Sequence, residues 1–149
     1  MITGYHAGYV VDASVAMKWF TQKKETDREA ALHLRSRHIQ GHTRMIVPEL
    51  FLLEVPNAVK AGRKGTEEEL DQVLQALIDL DLQVERHSET LLRKTNAVAW
   101  AYNLTWYDAV YVALAEILGF PCITADNALL KKMKGHSIVI HLKDIGFKS

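Results

Sequence analysis

Four carboxylates lie far apart along the chain, each inside an apolar run: Asp12 in VVDASV, Glu54 in LLEVPNAV, Asp108 in WYDAVYVALA and Asp126 in CITADNALL. Burying an isolated carboxylate is costly, and such a group tends to protonate rather than stay charged. Chains carry them where they are paired or where they converge on a cation, which for oxygen donors is commonly a hard divalent ion. Small polar residues recur beside the acids. Ser14 closely follows Asp12, Asn57 follows Glu54 by about one helical turn, and Thr124 shortly precedes Asp126. Hydroxyls and amides of this kind orient carboxylates and hold water near an ion. Taken singly, Asp108 can serve as a helix N-terminal charge, Asp126 as a turn or cap residue, and Asp12 as a cap. Glu54, among Leu52, Leu53 and Val55, has few structural uses, and the conjunction of all four favours a shared site.

The elements needed to bring them together follow from the hydrophobic pattern. Gly8 to Asp12 reads as a buried strand ending in an acid, followed by a short helix over 14–20. A helix over about 26–40 is closed by Gly41, and Met45-Ile46-Val47 is a second strand. Pro48 is placed to open a helix running to Ala61, with Leu50, Leu53, Val55 and Val59 as its apolar positions. Thr66 and Glu69 form a capping box for a helix whose inner face is Leu70, Val73, Leu74, Leu77 and Ile78. Leu82-Gln83-Val84 is a third strand. Ser88 and Thr105 cap helices reaching Tyr102 and Leu118. Cys122-Ile123-Thr124, a short helix over 127–134 and a strand over 137–140 complete the chain. Strands alternating with helices imply an α/β fold in three layers, α/β/α, around a mainly parallel sheet of four to five short strands. In such a sheet ligands bind beyond the carboxyl ends of the strands, where strand order reverses. Asp12 and Asp126 follow the first and fourth strands. Asp108 lies in a first helical turn and Glu54 lies mid-helix.

With 149 residues, 48% hydrophobic and 24% charged, the composition is that of one globular domain spanning 1–149. Formal net charge is zero. That removes a global basic field but not a local nucleic-acid patch. The single cysteine, Cys122, excludes an internal disulfide framework, fits a reducing compartment and reads as a buried small hydrophobe. No apolar run approaches the ~20 residues that span a bilayer, and the first residues lack the pattern of a secretory signal. A cytoplasmic protein with no membrane partner is expected.

VVDASV, the E-x-x-N of Glu54 to Asn57, YDAVYVALA and TAD-N-A-L resemble, in order and spacing, the four signature segments of PIN-domain nucleases. The likeness runs from about Val10 to Ile145, and length and layout resemble the VapC-type toxins of toxin–antitoxin pairs. The resemblance implies metal-dependent hydrolysis of RNA phosphodiester bonds with Mg²⁺ or Mn²⁺. It carries the acidic positions over to Asp12, Glu54, Asp108 and Asp126, with Ser14, Asn57 and Thr124 as their polar neighbours. On that basis Asp12 and Asp108 are expected to ligate the main ion, with Glu54 and Asp126 completing the site directly or through water. The resemblance also implies a homodimer held inactive by a cognate antitoxin, for which the apolar surfaces of segments 26–40 and 48–61 are candidates. Pro56 falls within the Glu54–Asn57 turn, removes one helical hydrogen bond and is expected to kink the helix.

Lys18, Arg63, Lys64, Lys131, Lys132 and Lys134 are candidates to hold an RNA backbone, against the plainer reading of a solvated charged face. His33, His38 and His42 read as surface or capping residues, because Gly41 interrupts any metal-binding helix. Trp19, Trp100 and Trp106 read as core or interface. A receiver-type module would want paired acids after its first strand, and a haloacid-dehalogenase-like phosphatase would want an acid where this chain has Ser14. The remaining alternative is a catalytically silent α/β binding or signalling module whose acids form a structural or regulatory Mg²⁺ site.

Overall fold

Five short runs, rich in β-branched residues at the centre, pair into one sheet. They are Gly8–Val11 (β1), Arg44–Pro48 (β2), Gln83–Glu85 (β3), Cys122–Thr124 (β4) and Val139–His141 (β5). The computed structural model describes residues 7–21, 27–63 and 65–146, apart from the side chain at 63. Every strand pair is parallel and the order is β3-β2-β1-β4-β5. Val10, Val11, Met45, Val47, Cys122 and Ile123 are fully buried, as strands covered on both faces require. β3 lies at an edge and is polar, and the Gln83 amide donates to Glu85 at 2.8 Å. Such an edge resists pairing with another chain.

The connecting helices are Ala13–Met17 (α1), Arg28–Ile39 (α2), Phe51–Arg63 (α3), Glu67–Asp79 (α4), Glu89–Tyr102 (α5), Trp106–Leu118 (α6) and Asn127–Lys132 (α7). A 3-10 turn, Leu142–Asp144, follows β5. The chain steps outward from β1 to β2 to β3 through α1–α4, then returns through α5 and α6 to the other side of β1. Right-handed crossovers taken in opposite directions lie on opposite faces of the sheet, which produces the three layers. α6 is apolar on all sides and buries every residue from Ala109 to Ala115. It is wedged between α5 and strands β1, β2 and β4.

Three helix starts read from the sequence hold in atomic detail. Thr66 Oγ1 accepts the Glu69 N–H at 3.1 Å, Ser88 Oγ the Leu91 N–H at 3.2 Å, and Thr105 Oγ1 the Asp108 N–H at 3.1 Å. Gly119, at φ +73°, closes α6 in the left-handed conformation that glycine adopts freely. α1, α7 and β5 differ from expectation by a few residues at their ends, as frayed termini do. Thr26, the expected start of α2, lies outside the described residues.

Several expectations are corrected. Pro48 does not open α3 but ends β2. β1 pairs with β2 only as far as Ile46, so a missing N–H at 48 breaks no bond on that side, and Glu49 N–H reaches Glu85 O at 3.0 Å. α3 begins at Phe51, which is fully buried on one stripe with Val55 and Val59, and Leu53 is 71% exposed. On α4, Val73 and Leu77 are buried while Leu74 and Ile78 face solvent. α4 packs on α3 rather than on the sheet, so a narrower stripe suffices. Pro56 lies inside α3, which continues to residue 63.

His38 is not a surface residue. It is buried, accepts the Met45 N–H on Nδ1 at 3.0 Å and meets Leu80 O through Nε2 at 2.7 Å. A ring nitrogen that accepts leaves the proton on the other, so Nε2–H donates to Leu80 and ties α2 to β2 and the end of α4. Trp19 joins the core, donating to Ala31 O at 2.9 Å, whereas Trp100 and Trp106 are exposed in the single chain. Cys122 is buried as read.

The stripe on α4 can be checked by stability. Leu77→Ala should cost about 2–5 kcal/mol in urea unfolding, and Ile78→Ala should stay within about 0.5 kcal/mol of the parent.

Candidate active site

Strand order turns back on itself at β1 and β4, and the carboxyl ends of these strands carry two of the four acids. Asp12 directly follows β1, and its N–H donates to Ile123 O of β4 at 3.0 Å. Its side chain is not the helix cap that its position suggested. Although Asp12 stands at the N-terminal boundary of α1, no backbone N–H of that helix reaches its carboxylate. Instead Ser14 Oγ donates to Asp12 Oδ2 at 2.7 Å and Thr124 Oγ1 donates to the same oxygen at 2.9 Å. Each hydroxyl has one hydrogen, so the 3.3 Å approach of Ser14 Oγ to Thr124 Oγ1 is a contact rather than a third donation. The lone pairs of the two hydroxyls are used as well, accepting Ala125 N–H at 2.9 Å and Asp126 N–H at 3.0 Å. The loop after β4 is thereby locked to the loop after β1.

Asp126 serves a structural purpose that the sequence allowed. Its Oδ1 accepts from Ala128 N–H at 2.9 Å and Leu129 N–H at 3.4 Å and caps α7. Asp108 is half-buried in the first turn of α6, and Glu54 is half-buried on α3. Sequence reasoning missed the group that fixes Glu54: the fully buried Tyr111 donates its hydroxyl to Glu54 Oε1 at 2.6 Å. A tyrosine one turn after Asp108, in an otherwise aliphatic helix core, was the available signal.

Electrostatics show how the acids stand toward one another. Burial raises the Asp12 pKa, hydrogen bonds from Ser14 and Thr124 partly offset it, and the charges of Asp108 and Asp126 push it further up. Burial also raises Glu54, against the Tyr111 hydrogen bond and with a push from Asp12 and Asp108. Asp108 is raised by burial and by Asp126, with Thr105 and Lys132 pulling the other way. Burial, then the Glu54 hydrogen bond, raises the Tyr111 hydroxyl, and burial raises the Cys122 thiol. The four acids from four segments thus share one field. Among the described residues none of them forms a salt bridge with lysine or arginine. Nor, among the described residues, do three His, Cys, Asp or Glu side chains already close around a single point.

The other expected residues are more dispersed. Asn57 is exposed, in a cleft shared with Glu54, and among the described residues it donates to none of the acids. Lys132 reaches across from α7 to Asn103 O at 3.0 Å, close enough to act on Asp108. Lys131 and Lys134 are exposed nearby in sequence, and Lys18 is half-buried at the end of α1. Residue 63 ends α3, and Lys64 lies outside the described residues.

Residues 9–135 match the family model described as the PIN domain. The chain belongs to the PIN-domain family. Within this PIN domain all four acids fall inside the matched segment. Ribonuclease VapC3 of Pyrobaculum aerophilum is 33% identical over 83% of this chain and 92% of its own length, which makes this a PIN domain of the VapC type. The crystal structure of PAE2754 from Pyrobaculum aerophilum is similar at 27% identity and a TM-score of 0.63, over 92% of this chain and 90% of that one. A toxin–antitoxin complex from Klebsiella pneumoniae shares the fold at 16% identity and a TM-score of 0.66, over 93% and 99%.

The raised Asp12 pKa has a defined consequence for the metal-free protein. A group whose folded pKa lies above its unfolded value favours the fold in acid and loses that contribution as pH rises through the folded pKa. Asp12→Asn should therefore melt above the parent at neutral pH, and the gap should close as pH falls into the ordinary carboxylate range. Thermal unfolding across that range checks it.

Proposed function

We propose that this PIN domain is a metal-dependent endoribonuclease that hydrolyses RNA phosphodiester bonds, with Asp12, Glu54, Asp108 and Asp126 as its catalytic acids. The observation that carries the reading is the mutual repulsion of these carboxylates at the sheet's switch point, with no lysine or arginine paired to them among the described residues. The donor set, carboxylate and hydroxyl oxygen throughout, fits Mg²⁺ or Mn²⁺ and not a soft metal. The name of the Pyrobaculum aerophilum relative, a ribonuclease, supports the substrate class.

Asp12 and Asp108 would hold the ion, and Glu54 and Asp126 would complete its surroundings directly or through water. When bound, a divalent cation polarises a phosphoryl oxygen and acidifies water. The chain's own contribution is positioning. Ser14 and Thr124 both grip Asp12 Oδ2, so the second carboxylate oxygen keeps a fixed direction. Tyr111 holds Glu54 by Oε1 in the same way. In the reaction a water oxygen bonds to phosphorus, the bond to the leaving ribose oxygen breaks, and the water's proton is passed on to that oxygen or to solvent. Lys132, with Lys18, Arg63, Lys64, Lys131 and Lys134, would supply positive charge to the RNA backbone.

The same reading makes the chain the toxin of a toxin–antitoxin pair, acting as a homodimer and silenced by a cognate antitoxin. The fold shared with the Klebsiella pneumoniae complex supports it. The surface best suited to the antitoxin is the cleft between α3 and α4, about 670 Å³, where Leu52, Leu53, Pro56, Leu70 and Leu74 converge. Of the two segments considered from sequence, α2 exposes little large apolar surface beyond Ile39. No described helix is long and apolar enough to cross a membrane.

Asp12→Asn and Asp108→Asn should each lower cleavage of single-stranded RNA in Mg²⁺ or Mn²⁺ by roughly 10²–10³-fold or more, the scale for removing a preorganised charge-stabilising group. Undiminished cleavage by either purified variant refutes the assignment. Thr124→Ala should weaken Mn²⁺ binding about 10–100-fold by freeing Asp12, as loss of an outer hydrogen-bond partner does. Calorimetric titration measures it.

A further inference from the structure

Beside the acids, on the outer side of α3, lies a second cleft of about 380 Å³ lined by Leu50, Leu53, Glu54, Asn57 and Tyr107. Leu53 is 71% exposed and Tyr107 63% exposed. The Asn57 amide, also exposed, has no hydrogen-bond partner among the described residues. The cleft is joined to the proposed catalytic centre twice over. Glu54 belongs to both, and Tyr107 immediately precedes Asp108 in the first turn of α6.

Resting on the nuclease reading, we propose that this cleft receives one base of single-stranded RNA next to the scissile phosphate. Tyr107 is the stacking surface, Leu53 the opposing apolar wall, and Asn57 the group that reads the base edge. Each feature suits a nucleobase. A flat aromatic face open to solvent stacks any base, and single-stranded RNA can splay a base out to meet it. A carboxamide offers two donors and an acceptor to a base edge. The volume falls in the range of small-ligand clefts, roughly 300–1,000 Å³. Glu54, shared by the acids and the cleft, would set a base in the cleft beside a phosphate bridged to the acids by a cation. Lys132, on the Asp108 side, supplies a cation for the backbone. The net result is sequence-tolerant capture by stacking, with preference exerted through Asn57. Tyr107 and Asn57 are positioning and specificity residues and not catalytic ones.

The test uses the Asp12→Asn protein, in which cleavage should be slowed roughly 10²-fold or more, and a fluorescein-labelled 12-residue single-stranded RNA of mixed sequence. Fluorescence anisotropy reads the Kd with and without Tyr107→Ala. Removal of the ring should raise Kd about tenfold, within the range for one stacked base. Tyr107→Phe, which keeps the ring, should restore affinity to within about twofold. An oligomer of the same length with abasic positions should bind weakly and be indifferent to the tyrosine. In parallel, Tyr107→Ala in the otherwise unaltered chain should raise KM for RNA cleavage more than it lowers kcat. Equal Kd for Tyr107→Ala and its parent overturns the subsite. Equal binding of abasic and normal RNA overturns it as well, and so does failure of the parent to bind RNA at all. Absence of cleavage by the unaltered chain, with stacking intact, defeats the nuclease reading and leaves the subsite standing. Cleavage without a tyrosine effect does the reverse.

Discussion

The organising constraint is repulsion among like charges that no lysine or arginine salt bridge neutralises among the described residues. Asp12, Glu54 and Asp108 are all raised by burial and by the charges of other acids in the set. A chain selected for stability alone would place a lysine or arginine there, or replace an acid with an apolar residue, since unpaired buried charge opposes folding. Here the hydroxyls of Ser14 and Thr124 and the phenol of Tyr111 stabilise individual carboxylates without cancelling their charge. On the proposed reading, the countercharge arrives from solution.

Everything around the acids serves to hold them in register against that repulsion. The loops after β1 and β4 are clamped by Ser14 and Thr124, which use both their hydrogens and their lone pairs. α6 is buried along its middle and touches three strands, so Asp108 and Tyr111 are set by a helix packed into the core. α3 carries Glu54 on its half-buried side while Phe51, Val55 and Val59 anchor it. Asp126 gives one oxygen to capping α7, so the same carboxylate fixes a helix and adds to the field at Asp108. Capping therefore leaves Asp126 able to take the part proposed for it among the acids.

What the sequence made legible was local. Caps at Thr66, Ser88 and Thr105 depend on contacts three residues apart, and they hold as read. The buried strands announced themselves as apolar runs, and their alternation with helices led to the parallel sheet. Burial on α3 and α4 was harder to read, because a leucine pattern says that a face is apolar without saying how wide its partner is. Leu53, Leu74 and Ile78 stay exposed for that reason. Pro48 was misplaced because its effect depends on how far β1 extends, and the tie from His38 to Leu80 joins residues 42 positions apart. The bond from Tyr111 to Glu54 spans 57 positions and likewise has no signature within either segment.

The central claim is that the converging carboxylates are neutralised by a divalent cation. Anomalous diffraction from a crystal soaked in Mn²⁺ tests it most directly. The account requires an anomalous peak within ligand distance of Asp12 and Asp108 that vanishes in an Asp12→Asn crystal treated identically. Ordered, ionised acids with no peak between them, or a peak unaffected by that substitution, would contradict it.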